Sequence, residues 1–156
     1  LLRDTSDDQV LDDLLRASRI FVAIAANSLA NDESQQLSMQ QYRALALVAS
    51  QESQRPADLA RSLGVTPSTT TALCDRLVQK GLISRENGTD RRSLSLAVSP
   101  GGREQLENIA ARRGDLLQRI LDCLPDPARA QLAEALVAFI DAAGEAQIDE
   151  WSIRGL

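Results

Sequence analysis

Pro56-Ala57-Asp58-Leu59-Ala60-Arg61-Ser62-Leu63-Gly64-Val65, followed by Thr66-Pro67-Ser68-Thr69-Thr70-Thr71-Ala72-Leu73, decides the fold. The first half has the apolar spacing of a short helix and ends at Gly64, which can adopt the left-handed conformation of a sharp turn. Thr66 is a helix N-cap with Pro67 in the first helical position, and the helix it opens runs to Lys80 and stops at Gly81. Leu59, Ala60, Leu63, Val65, Leu73 and Leu77 form a small shared core, with Ala60 letting the two helices approach. Any tight helix pair shows such a pattern, and the residues after Gly81 narrow it. Leu82-Ile83-Ser84-Arg85 reads as a short strand and Asn87-Gly88 as a turn. Leu94, Leu96 and Val98 alternate with Ser93, Ser95 and Ala97, as in a half-buried second strand. The hairpin loop holds Thr89-Asp90-Arg91-Arg92. A strand, turn and strand directly after the second helix of such a pair define a winged helix-turn-helix.

Working outward, Ser38-Met39-Gln40-Gln41 fits a capping box, with Ser38 as N-cap and Gln41 reaching back. The helix it opens is predicted to bury Tyr42, Leu45, Ala46 and Ala49. Residues 9–30 carry Val10, Leu14, Ala17, Phe21 and Ile24 at alternating steps of four and three, with Leu11, Leu15, Val22 and Leu29 as a second stripe. Ser99-Pro100 opens a long helix bearing Leu106, Ile109, Leu116, Leu117, Ile120 and Leu124. Leu124-Pro125-Asp126-Pro127 breaks it, with Asp126 read as the cap of a last helix that carries Leu132, Leu136, Phe139, Ile140 and Ala143. The expected fold is mostly α with a small β-hairpin wing. Residues 37–98 form the winged helix-turn-helix lobe; residues 1–36 and 99–156 form a helical dimerisation region. The terminal stripes are wide for a three-helix cluster, and pairing with a second subunit would bury the excess. Long helices in a monomer can also bury wide stripes.

Composition narrows the function. Among 156 residues there is no histidine, which excludes an imidazole base or a hydrolase triad. Two cysteines, Cys74 and Cys123, cannot complete a structural zinc site unaided, so neither metal nor cofactor is expected. No apolar run reaches the ~20 residues of a membrane span, and the first residues lack the pattern of a secretory signal, so a cytoplasmic location is expected. Net charge is −5. Yet seven basic residues from Arg55 to Arg92 (Arg55, Arg61, Arg76, Lys80, Arg85, Arg91, Arg92) face four acidic ones, Asp58, Asp75, Glu86 and Asp90. An acidic body with a basic central segment is what binding DNA through one face requires.

The stretch Asp75-Arg76-Leu77-Val78-Gln79-Lys80-Gly81-Leu82-Ile83-Ser84-Arg85 resembles the signature of the MarR (multiple antibiotic resistance regulator) family. Asp90-Arg91-Arg92 and the strand after it, ending at Ser99, resemble that family's wing. Helix order and length agree over nearly the whole chain. The resemblance implies an obligate two-fold dimer on pseudo-palindromic double-stranded operators, released in many members by a small aromatic anion bound between dimerisation helices and DNA-binding lobe. It also implies that Arg92 enters the minor groove and that Asp90 braces the wing, with Arg76 as its candidate partner. Ala72 departs from the family, which often has a basic or polar residue there.

The second helix of the pair would lie in the major groove. Thr70, Leu73, Cys74 and Leu77 mark its inner face; Ser68, Thr71, Ala72 and Asp75 point outward, with Thr69 and Arg76 at the margins. Candidate DNA contacts are therefore Ser68, Thr69, Thr71, Ala72 and Arg76 on this helix, Arg91 and Arg92 on the wing, and Arg55 and Arg61 as phosphate contacts. Ser68 and Thr69 have a purely structural alternative, satisfying free amides of the first turn. Arg19, Phe21, Tyr42 and Arg43 are eligible by position to line an effector pocket; the effector is unspecified. Cys74 sits on the apolar side, where inert packing is the expectation over redox sensing. A ligand-responsive, sequence-specific repressor competes with a winged-helix protein-interaction module and with a thiol-based sensor. No nucleophile–base pair or phosphate-cradling loop supports an enzyme.

Overall fold

The computed structural model describes residues 5–30, 36–51, 54–87 and 94–143. Among these residues six helices and a hairpin follow in chain order: α1 (Thr5–Leu29), α2 (Met39–Ala49), α3 (Pro56–Leu63), α4 (Pro67–Gln79), β1 (Ile83–Asn87), β2 (Leu94–Val98), α5 (Pro100–Asp122) and α6 (Asp126–Ala143). The punctuation read from the sequence holds at most boundaries. Ser38 Oγ accepts from the Gln41 amide while Gln41 Oε1 accepts from the Ser38 amide, a complete capping box. Gly64 closes α3 at φ 67°, and Gly81 follows α4 at φ 69°. Thr66 and Ser99 cap α4 and α5, each with proline in the first turn.

The core fills the lobe. Leu45 and Val48 of α2, Leu59 and Leu63 of α3, and Leu73, Cys74 and Leu77 of α4 pack with Leu82, Ile83, Leu96 and Val98 of the wing. Leu29 from α1 and Ile109 from α5 enter the same cluster, so the flanking helices are anchored to it by their lobe-proximal turns.

Three local expectations are corrected. In α2 the buried residues are Gln41, Ala44, Leu45 and Val48, while Tyr42, Ala46 and Ala49 are half-buried. In β2 the alternation breaks: Leu94 is exposed, and Ser95 is buried with its hydroxyl donating to Glu86 O at 3.3 Å. The strand passes over the core only at Leu96 and Val98. At α6 the carbonyl of Pro125, not Asp126, accepts the first helical bond, from the Arg129 amide at 3.1 Å. Asp126 is the first residue of the helix, where its carboxylate still faces the positive end of the dipole.

The hairpin is antiparallel, pairing Ile83 with Val98 and Asn87 with Leu94. Gln54 forms an isolated bridge on the far side of β2, its amide donating to Leu96 O at 3.1 Å and its carbonyl accepting from Leu96 N at 2.8 Å. The segment before α3 is thereby fixed to the wing.

Outside the lobe the picture inverts. On α1, Val10, Leu14, Phe21 and Val22 are exposed, as are Leu136, Phe139 and Ile140 on α6. Among the described residues these stripes stay largely open.

Candidate nucleic-acid interface

Helix α4 presents two chemically distinct faces. Thr70, Leu73, Cys74 and Leu77 are buried, and the Thr70 hydroxyl donates to Thr66 O at 3.1 Å. Ser68, Thr69, Thr71, Ala72, Asp75 and Arg76 are all exposed. The structure thus brings together five candidate contacts on one outward face of a single helix. Thr66 Oγ1 accepts from the Thr69 amide and lies 2.9 Å from the hydroxyls of both Ser68 and Thr69. The capping role of the first turn is therefore real, but a hydroxyl keeps further bonding capacity after one such contact. Thr71 is exposed and donates to Pro67 O at 3.0 Å, which leaves its oxygen lone pairs free to accept.

Arg55, immediately before α3, is exposed; Arg61 is also exposed and pairs with Asp58 at 2.9 Å. An exposed i,i+3 pair of this kind exchanges readily for another anion. Asp90, Arg91 and Arg92 lie outside the described residues, as does the expected Asp90–Arg76 brace. A different brace is present. Arg85 of β1 reaches Asp75 of α4 at 2.5 Å, tying the wing's first strand to the recognition helix. Sequence reading placed Asp75 outward correctly without finding this partner, ten residues away across a turn.

One further side chain joins this surface. A shallow depression of about 350 Å³ is lined by Ser68, Thr69, Ala72, Leu73 and Arg76 of α4 together with Gln40 of α2.

Cys74 faces the core beneath the same helix. Burial pushes its thiol above the ordinary value, with the Arg85 guanidinium partly offsetting this and Asp75 adding to it. A thiol held protonated is a poor nucleophile. The native protein is expected to show one fast-reacting thiol, Cys123, which is exposed. Cys74 is expected to react only after denaturant is added, a difference that thiol titration with a chromogenic disulfide reads directly. Two fast thiols in the native protein would overturn this.

A second cluster lies where α1, α2 and α5 meet. Arg112 Nε donates to Ser28 O at 3.0 Å, and the Arg113 guanidinium sits 5.4 Å from the centroid of the Tyr42 ring. Arg113 Nε is buried without a hydrogen-bond partner among the described residues. Of the four residues eligible for an effector pocket, Tyr42 is in this contact. Arg43 is half-buried on the next position of α2, whereas Arg19 and Phe21 are exposed on α1. Arg112 and Arg113 escaped the sequence reading. The available signal was an arginine pair set among the apolar positions of α5.

Fold and surface together define a winged helix-turn-helix DNA-binding protein. Residues 37–94 match the sequence profile of the MarR family. The chain is 31% identical over 140 residues to the HTH-type transcriptional repressor MdtR of Bacillus subtilis (strain 168), covering 88% of this chain and 90% of that protein. The chain belongs to the MarR family, whose members are DNA-binding transcription regulators and not enzymes. Among solved structures, RV1404 from Mycobacterium tuberculosis superposes with a TM-score of 0.77 at 35% identity, over 92% of this chain and 99% of that one. A MepR variant from S. aureus bound to an oligodeoxyribonucleotide shares the fold, with a TM-score of 0.68 at 20% identity over 86% and 98% of the two chains. Among the described residues no helix is long and apolar enough to cross a membrane.

Proposed function

We propose that this chain is a two-fold dimeric repressor that grips a pseudo-palindromic operator and is released by a small aromatic anion. The observation that carries the DNA half is the outer face of α4, where Ser68, Thr69, Thr71, Ala72 and Arg76 all stand exposed. Arg55 and Arg61 flank it as phosphate contacts. Arg92 is assigned to the minor groove, with Arg91 as a further wing contact, because a narrow groove concentrates negative potential. Residues 1–36 and 99–156 join the two subunits. MdtR, which is named a repressor, supports the sign of regulation, and the DNA-bound MepR structure supports the docking of this fold on a duplex.

The ligand half rests on the cluster around Tyr42. An aromatic ring beside an arginine with an unused buried N–H suits a planar anion, which stacks on the ring and accepts from the guanidinium. Such a ligand releases DNA only by binding the non-fitting arrangement more tightly, and a tenfold preference corresponds to only ~1.4 kcal/mol.

A mobility-shift titration on the DNA upstream of the chain's own gene tests both halves. Arg92→Ala should weaken binding and lower the slope of log K against log salt by about one per lost phosphate contact. A panel of aromatic carboxylates and phenols should contain compounds that lower operator affinity while raising the melting temperature of the free protein. Absence of binding to any upstream duplex would sink the DNA half. A panel inert in both measurements at millimolar concentration would leave a constitutive DNA binder.

A further inference from the structure

Gln40 is exposed in the first turn of α2, yet it takes no part in capping that helix. Gln41 performs that task, exchanging both bonds of the capping box with Ser38. Gln40 makes no side-chain hydrogen bond among the described residues, and instead walls the depression that α4 lines with Ser68, Thr69, Ala72, Leu73 and Arg76. That lining holds one cation and no carboxylate. The nearest acid along α4, Asp75, is outside it and is neutralised by Arg85. Four of the six lining residues belong to the outer face already assigned to DNA, so a duplex lying along α4 meets this depression at its edge.

We infer that the depression between α2 and α4 seats a backbone phosphate of the operator, held by the Gln40 side-chain amide on one wall and the Arg76 guanidinium on the other. The inference rests on the DNA-binding reading of α4 and adds to it a contact from outside the helix-turn-helix. A phosphate oxygen accepts from both groups at once, and two donors on different helices fix the angle at which α4 enters the groove. Backbone contacts of this kind set register and orientation without reading sequence. Gln40 therefore positions the recognition helix and contributes equally to every operator variant.

Fluorescence anisotropy with the upstream duplex, read for the wild-type chain, Gln40→Ala, Gln40→Glu, Gln40→Lys and Arg92→Ala, tests this. Loss of a hydrogen bond to a charged group should weaken binding roughly tenfold per half-site for Gln40→Ala. Gln40→Glu places a carboxylate against the phosphate and should cost roughly a hundredfold. Gln40→Lys should bind at least as well at low salt and steepen the salt dependence by about one unit of slope per half-site. The ratio of affinities for the duplex and a base-substituted copy should stay constant across the Gln40 series. All three variants should melt with the wild type, since the residue is exposed. If Arg92→Ala weakens binding while every Gln40 variant stays within twofold of wild type, the inference is overturned and the DNA reading stands. If Gln40→Ala changes the ratio between duplexes, the residue reads a base and the phosphate assignment is wrong. If the wild-type chain binds no duplex, the underlying DNA reading fails, and the inference with it.

Discussion

Gly102→Ala is expected to lower the melting temperature of this protein by on the order of 5–10 °C, although alanine is the better helix former. A Cβ built at Gly102 overlaps the carbonyl oxygen of Leu82 and stands 2.8 Å from Val98 Cγ2. The first obstacle is backbone, so it cannot swing aside. It is also held in place, because Leu82 O accepts from the Ser99 amide at 3.0 Å. The Ser99 hydroxyl completes the joint, donating to Gly81 O at 2.6 Å and accepting from the Gly102 amide at 3.0 Å. Forcing a methyl group into this contact separates α5 from the end of α4, and overpacking of this kind costs about 1–3 kcal/mol. The same change at Gly114 provides the contrast. A Cβ there meets nothing within 4 Å, so Gly114→Ala should gain up to about 1 kcal/mol from helix propensity and reduced unfolded-state entropy. Thermal melts of the two variants beside wild type should therefore move in opposite directions. Equal, small shifts would mean that the α5 joint relaxes freely. Operator affinity should fall for Gly102→Ala and hold for Gly114→Ala, since only the first lies where α5 packs against the turn that follows α4.

That joint was invisible in the sequence, for a reason that separates the readable from the unreadable features. Gly64, Thr66-Pro67, Ser99-Pro100 and the Ser38–Gln41 box were all legible because their chemistry closes within three or four residues. The two faces of α4 were legible too, because helical periodicity alone places Leu73 inward and Thr71 outward. The exposed stripes of α1 and α6 were foreseen as wide apolar faces, though not how open they stay among the described residues. What could not be read are contacts set by tertiary approach. Gln54 has no strand pattern around it and forms its bridge only because β2 passes beside it. Asp75 and Arg85 meet because the turn after α4 folds β1 back along the helix. Gln40 reaches the edge of α4, and Arg113 reaches Tyr42, because separate helices cross there. The β2 error has the same origin: alternation predicts which side a residue points to, but not how far the core extends beneath the strand. Leu94 is on the expected side and past the end of that core, which leaves it 44% exposed.

The largest effect on function is expected from the apolar side chains that stand open on α1 and α6. Phe21 of α1 and Phe139 of α6 are each 53% exposed, and Leu14 on α1 and Leu136 and Ile140 on α6 are 42–43% exposed. A run of large apolar side chains this open is unusual for a soluble monomer and marks a face that another surface covers. If that surface is a second copy, each residue occurs twice in a two-fold interface, so one substitution alters two sites. Phe21→Glu combined with Phe139→Glu then buries four carboxylates on association, and the subunits should separate. Neither side chain supports the lobe core, so the helical circular-dichroism signal and the packing around Leu45, Leu59 and Leu77 should survive. Operator binding should not. A linked pair of recognition helices, roughly 34 Å apart, engages its second half-site as an intramolecular event. Separated subunits lose that advantage, which is on the order of 10²–10⁴ in affinity. Sedimentation at micromolar concentration should report a dimer for the wild-type chain and a monomer for the double variant. The variant should titrate its two half-sites independently, each as weakly as an isolated half-site binds the wild-type lobe. A wild-type chain that sediments as a monomer, or a monomeric variant with undiminished operator affinity, would show that α1 and α6 serve some other contact and that α4 works without a twin.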